Sequence, residues 1–99
     1  MNLTLRLKDT FGPFLGDGAE GNEFRCQKIE PFWDSYERII LDFEGVDSMT
    51  HSFVNAFVGN LVEAHPRDFR EKLVFKNCSP LVKTFIKGAL SFAKTRIPA

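Results

Sequence analysis

An apolar run, Ile39-Ile40-Leu41, closes on Asp42-Phe43, turns through Glu44-Gly45, and soon gives way to a helical periodicity. That change of period constrains this chain more than any other feature. Side chains repeat about every two residues along a strand and about every 3.6 along a helix, so the two stretches are separate elements in a fixed order. Glu37 to Phe43 reads as a central strand covered on both faces. Phe53, Ala56, Phe57, Leu61 and Ala64 then follow helical spacing, with Val54, Val58 and Val62 as a second adjacent row. Asp47, Ser48, Thr50, His51 and Ser52 fall at the strand-to-helix junction, where helix N–H groups lack intrahelical partners. The junction is predicted to lie open to solvent as a switch or docking surface.

Upstream, Leu3, Leu5 and Leu7 alternate with Thr4, Arg6 and Lys8, the pattern of an edge strand wet on one face. Breaker-rich Phe11 to Gly18 predicts a turn with a very short strand around Phe14. Gly16, Gly18 and Gly21 match neither a P-loop nor a dinucleotide fingerprint and are assigned to turn formation. A helix is expected from Ala19 to about Trp33, kinked or ended by Pro31, with Trp33 and Tyr36 covering one end of the sheet. His65-Pro66-Arg67-Asp68 closes the second helix, and Lys72 to Lys76 reads as a short strand. Ser79-Pro80 suits the start of a last helix, because Ser caps and Pro fits the first helical position. There Leu81, Val82, Phe85, Ile86, Ala89 and Leu90 keep helical spacing and leave Lys83, Lys87 and Lys94 opposite, and the residues from Arg96 to Ala99 are expected to fray. The sum is an α/β chain, one domain over residues 1–99, a mixed β-sheet with helices packed on it in the order β-(β)-α-β-α-β-α. Its later strands should be parallel through right-handed crossovers.

Composition supports one core: hydrophobic residues make up 43% of the chain and include 11 Phe. No segment approaches the roughly 20 apolar residues of a membrane span, and the alternating start is unlike a secretory leader, so a cytoplasmic location is expected. Cys26 and Cys78 form no CxxC pair and have only His51 and His65 beside them in the sequence inventory, which argues for buried thiols and no metal centre. Charge is zero overall yet lopsided: residues 1–64 hold 5 basic and 11 acidic side chains, and residues 65–99 hold 8 basic and 2 acidic. Without a recognition motif, the basic third suits a solvated helix face or a surface for an acidic protein partner better than nucleic acid.

With these residues in place, the chain resembles the STAS-like domain family of bacteria, related to anti-sigma-factor antagonists. The likeness rests on Leu41-Asp42-Phe43-Glu44-Gly45-Val46 followed by Ser52-Phe53, on Phe24-Arg25 with Ile29-Glu30-Pro31, and on Phe75-Lys76-Asn77, and it covers the chain from about Gly21 onward. It implies a non-enzymatic protein-binding module with no cofactor, whose partner is a kinase-like ATPase or an anti-sigma factor. Asp42, Gly45 and Phe53 would be its structural motif. In such proteins a hydroxyl at the helix start is phosphorylated by the partner, which breaks binding, since a phosphate brings about −1.5 to −2 charges to the contact. Here His51 occupies the usual acceptor position, so Ser52, Thr50 or Ser48 would have to serve, and a plain helix cap is the stronger reading of Ser52 or Thr50. The broad apolar helix would supply contact area, in a monomer or a weak homodimer.

Two other readings stand beside this one. Asp42 ends a hydrophobic strand as a receiver-type phosphoacceptor would, but such chemistry needs an acidic pair to hold Mg²⁺, and Asp9 stands alone near Lys8. The basic third is the third reading, a nucleic-acid surface. Hydrolytic or thiol catalysis finds no support, as Ser48, Ser52 and Cys78 lie in no G-x-S-x-G elbow.

Overall fold

The structure, a computed structural model, describes residues 1–97. Strand β1 (Asn2–Arg6) runs into a short helix, α1 (Leu7–Phe11), and a two-residue strand, β2 (Phe14–Leu15). Helix α2 (Gly18–Lys28) follows, then a 3₁₀ turn over Glu30–Ser35 with Pro31 in its first turn. Next come β3 (Arg38–Asp42) and β4 (Ser48–Met49). Helix α3 (His51–Val54), a π turn (Asn55–Gly59) and α4 (Asn60–Ala64) run on as one continuous helix. A short helix, α5 (Phe69–Lys72), leads into β5 (Leu73–Lys76), and α6 (Pro80–Arg96) ends the described chain.

The sheet has the order β1-β3-β5 with β3 central, and β2 and β4 form a separate two-stranded pair. Every pairing is parallel, so the expected mixed sheet is corrected to a parallel one, while the α/β class stands. The physical reason is connection length: β1 reaches β3, and β3 reaches β5, through helices rather than hairpins, and such crossovers return the chain in the same direction. In register, Leu3, Ile39 and Leu73 share a row, as do Leu5, Leu41 and Phe75, and these rows face the helices. The other face carries Thr4, Ile40 and Val74, two of them exposed and Ile40 half-buried, so β3 is covered fully on one face and not on both as its apolar run suggested.

The continuous helix from His51 to Ala64 lies between α2 and α6. Phe53, Val54, Phe57, Val58, Leu61 and Val62 are all at most 1% exposed, because the π turn widens the helix where its two apolar rows meet two different neighbours. The close crossing with α2 depends on two glycines. A Cβ at Gly18 would fall 2.4 Å from Ser52 Oγ, and one at Gly21 would fall 3.0 Å from the Phe53 ring. Gly18 and Gly21 thus belong to a helix contact, correcting their assignment to a turn.

Other boundaries shift modestly. Leu7 is buried in α1 instead of continuing the edge strand. Cys26 is exposed and Cys78 half-buried, both as free thiols, so the buried-thiol expectation fails for Cys26. Leu81, placed on the apolar spacing of the last helix, is 47% exposed. Arg96 is helical and pairs with Glu63 at 3.4 Å, and Ile97 packs half-buried against the core, so neither shows the expected fraying. Pro98 and Ala99 lie outside the described residues.

Candidate functional site

The segment joining β3 to α3 is shaped by backbone first. Val46 N–H donates to Phe43 O at 3.0 Å, closing a turn whose third residue, Gly45, has φ +80°, a conformation costly for other residues. Beyond it Asp47 N–H donates to Pro13 O at 2.8 Å, and Ser48 pairs with Phe14 in the β2–β4 ribbon. Thr50 is the helix cap: its Oγ1 accepts from Phe53 N–H at 3.0 Å and donates to Gly16 O at 2.9 Å. Both capacities of that hydroxyl are thereby used.

Of the five junction residues, Asp47, His51 and Ser52 are exposed, while Ser48 and Thr50 are half-buried. Ser52 Oγ makes no hydrogen bond among the described residues and stands where the first turn of α2, with its cap Asp17 and with Glu20, abuts the first turn of α3. The His51 ring lies 4.9 Å from that of Phe85 on α6. The apolar helix face expected to contribute contact area is buried. Phe14, 56% exposed beside Ser48, is the apolar group this surface does present. The sequence places Phe14 in a very short strand, and its pairing with Ser48 joins distant segments, so no local signal marks it as part of this surface.

Asp42 is built into the frame instead of the surface. It is 7% exposed, and its Oδ1 accepts from Asn77 Nδ2 and from Glu44 N–H, each at 3.0 Å. The Asn77 amide, then the Glu44 N–H, hold its carboxyl below the ordinary carboxylate range against the opposing push of burial, with Lys76 and Arg6 adding to the depression. Asn77 reaches it from a left-handed backbone conformation, φ +57°, which Asn tolerates better than most residues. Asp42 and Asn77, two residues that carried the family likeness, therefore form a latch between the ends of β3 and β5. Among the described residues no group of three or more His, Cys, Asp or Glu gathers about a common point that could hold a metal ion.

A second polar cluster lies at the other end of the strands, again from likeness-bearing residues. Arg25 pairs with Glu30, whose other oxygen hydrogen-bonds to His65 Nε2. The His65 ring stacks on Trp33 at 3.7 Å, and Trp33 Nε1 donates to Asp68 Oδ2 at 2.9 Å. Trp33 is thus buried and tied to the segment between Ala64 and α5. Cys78 lines a cleft of about 530 Å³ with Phe75, Ile86 and Leu90, where burial pushes its thiol up, away from the reactive thiolate.

The fold and these motif residues agree with a comparison against known families. Residues 20–83 match the family described as a STAS-like domain of unknown function (DUF4325). The chain belongs to this STAS-like family. No significant match to a curated protein or to a solved structure was found. No described helix is long and apolar enough to cross a membrane.

Proposed function

We propose that this chain is a non-enzymatic regulatory module that binds another protein through the β3–α3 junction, in the manner of anti-sigma-factor antagonists, with Ser52 as its switch. The observation that carries the reading is the different state of the junction hydroxyls. Thr50 is spent on capping and Ser48 is half-buried in the ribbon, whereas Ser52 is exposed at the first turn of a long helix. Asp47, His51 and Ser52 supply a polar rim and Phe14 an exposed aromatic ring, a residue type enriched at interface cores.

A phosphate on Ser52 meets opposing influences. The start of α3 favours the added charge, while Asp17 and Glu20 at the adjoining start of α2 repel it. Pressed against a partner, such a group would also be desolvated. A kinase-like ATPase or an anti-sigma factor is the kind of partner this scheme requires. Asp42, buried and doubly hydrogen-bonded on one oxygen, is read here as structural and not as a receiver phosphoacceptor.

The test is capture from the source cell with wild-type, Ser52→Ala and Ser52→Asp chains, followed by affinity measurement on the recovered partner and phosphopeptide mass spectrometry. Ser52→Asp should weaken binding by about tenfold or more, and Ser52→Ala should not. Full affinity in Ser52→Asp would remove the switch, and full affinity in Phe14→Ser would remove the surface.

A further inference from the structure

Helix α6 turns a second, organised face to solvent. Its buried row is Val82, Ile86, Ala89 and Ala93. At about 100° per residue, Leu81, Phe85 and Phe92 stand together on one flank of the remaining surface and Lys83, Lys87 and Lys94 on the other. Leu81 is 47% and Phe92 51% exposed, with Arg96 over the Phe92 ring, while Phe85 between them is half-buried against the core and His51, so the two ends of this apolar ridge are what solvent meets. Between the ridges lie short side chains, Thr84, Gly88, Ser91 and Thr95. The Thr84 and Thr95 hydroxyls donate back to the Pro80 and Phe92 carbonyls at 3.0 and 2.7 Å, so they demand no outside partner. A Cβ at Gly88 would meet nothing within 4 Å. The result is an outward face with small residues along its middle, an apolar flank on one side and a cationic flank on the other, Lys83 and Lys87 also lining the Cys78 cleft.

We propose that this face seats an amphipathic helix of a protein partner, with apolar side chains on one flank and carboxylates on the other. Charge selects that occupant. α6 contains no acidic residue, so a second α6 laid on the first brings nothing to satisfy the lysines. A two-fold antiparallel pairing of α6 lays lysine wall on lysine wall, and a parallel pairing lays it on the apolar wall. A flat bilayer surface cannot meet two ridges on opposite flanks, whereas a rod lying between them meets both. The small floor allows the backbones to approach closely, as in tightly packed helix pairs. The seat is a separate surface from the Ser52 junction, adjoining it where Phe85 meets His51, and stands whether or not the junction binds.

The probe is a synthetic helix-forming peptide of about four turns with Leu on one flank and Glu on the other, compared with a twin carrying Lys for every Glu. Each is titrated into the isotope-labelled full chain and followed by amide shifts. The acidic peptide should bind saturably at α6, about tenfold or more tighter than its twin, and should weaken by a similar factor in Gly88→Leu and in the Lys83→Glu, Lys87→Glu pair. Gly88→Leu enters open space, so its circular dichroism and melting should remain those of a folded chain. No saturable binding of the acidic peptide, equal affinity for the twin, or undiminished affinity in folded Gly88→Leu overturns the proposal. So does α6-dependent binding to phosphatidylglycerol vesicles, or α6-dependent dimerisation in sedimentation, in preference to the peptide.

Discussion

The helix from His51 to Ala64 and helix α6 both start behind a capping hydroxyl, Thr50 in one and Ser79 in the other, and both carry apolar residues broader than a single stripe. Their surplus apolar rows meet opposite fates. In the first, Phe53, Phe57 and Leu61 and the neighbouring Val54, Val58 and Val62 are all sealed, because α2 lies on one side and α6 on the other. In α6 only the row of Val82, Ile86, Ala89 and Ala93 is buried, and Leu81 and Phe92 remain about half exposed. Apolar width records how much a helix could bury, and the number of flanking elements decides how much it does bury. What α6 has left over is surface available to something outside the chain.

That contrast is most sharply tested by matched truncations. Phe57→Ala, which empties a fully buried site, should cost about 3–5 kcal/mol, whereas Phe92→Ala should stay within about 0.5 kcal/mol. Urea unfolding measures both. A large loss for Phe92→Ala would mean that the outer ridge of α6 supports the fold, and the distinction between the two helices would collapse.

The latch joins Asp42, ahead of the first of these helices, to Asn77, which lies between the two in sequence just before α6 begins. Asp42→Asn should cost about 1–2 kcal/mol at neutral pH, since charge-assisted bonds from Asn77 and Glu44 become neutral ones. The sign with pH follows from the depressed carboxyl. The folded value lies below the ordinary 3.8, so the contribution is complete above 3.8 and drains away as pH falls through the folded value. Acid unfolding of the Asp42→Asn chain should lack that part of the slope. An unchanged acid limb would show that the latch carries no charge-dependent stability.

The strand and helix periods were legible because each depends on local alternation that tertiary packing then respected: β3 as the central strand, Ser79 as a cap and a break near Pro31 follow from neighbours in sequence, although α2 already ends at Lys28 and the stretch to Ser35 is a 3₁₀ turn instead of more helix. Features set by contacts across the chain were not. Gly18 and Gly21 looked like turn formers because nothing local announces that Ser52 and Phe53 will press against them. The π turn at Asn55–Gly59 has no residue signature of its own and shows only in the burial of two rows at once. Short α5 hides between charged residues and a strand. At the candidate site, the junction residues were identifiable by position, but which hydroxyl is committed depended on Gly16 O, which is 34 residues from Thr50.

The caps sharpen the comparison at smaller scale. Thr50→Ala loses two hydrogen bonds, one of them to another element, and should cost about 1–2 kcal/mol, whereas Ser79→Ala loses the single 3.2 Å bond from Val82 N–H and should cost about 1 kcal/mol or less. Equal losses in denaturant titration would indicate that the tie to Gly16 adds nothing, leaving the buried helix anchored by its apolar rows alone.

The smallest expected effect runs in the opposite direction. Gly88 sits in the interior of α6 with open space where a Cβ would go, so the fold gains nothing from its lack of a side chain while bearing the loss of helix propensity. Gly88→Ala should therefore raise stability by about 0.5–1 kcal/mol, seen as a higher urea midpoint with an unchanged slope. A drop in stability would mean that the outward face of α6 is already serving an intramolecular contact. A gain would leave Gly88 as a residue whose only structural use is to let another backbone come close, and would set the stability of α6 against the closeness of whatever lies on it.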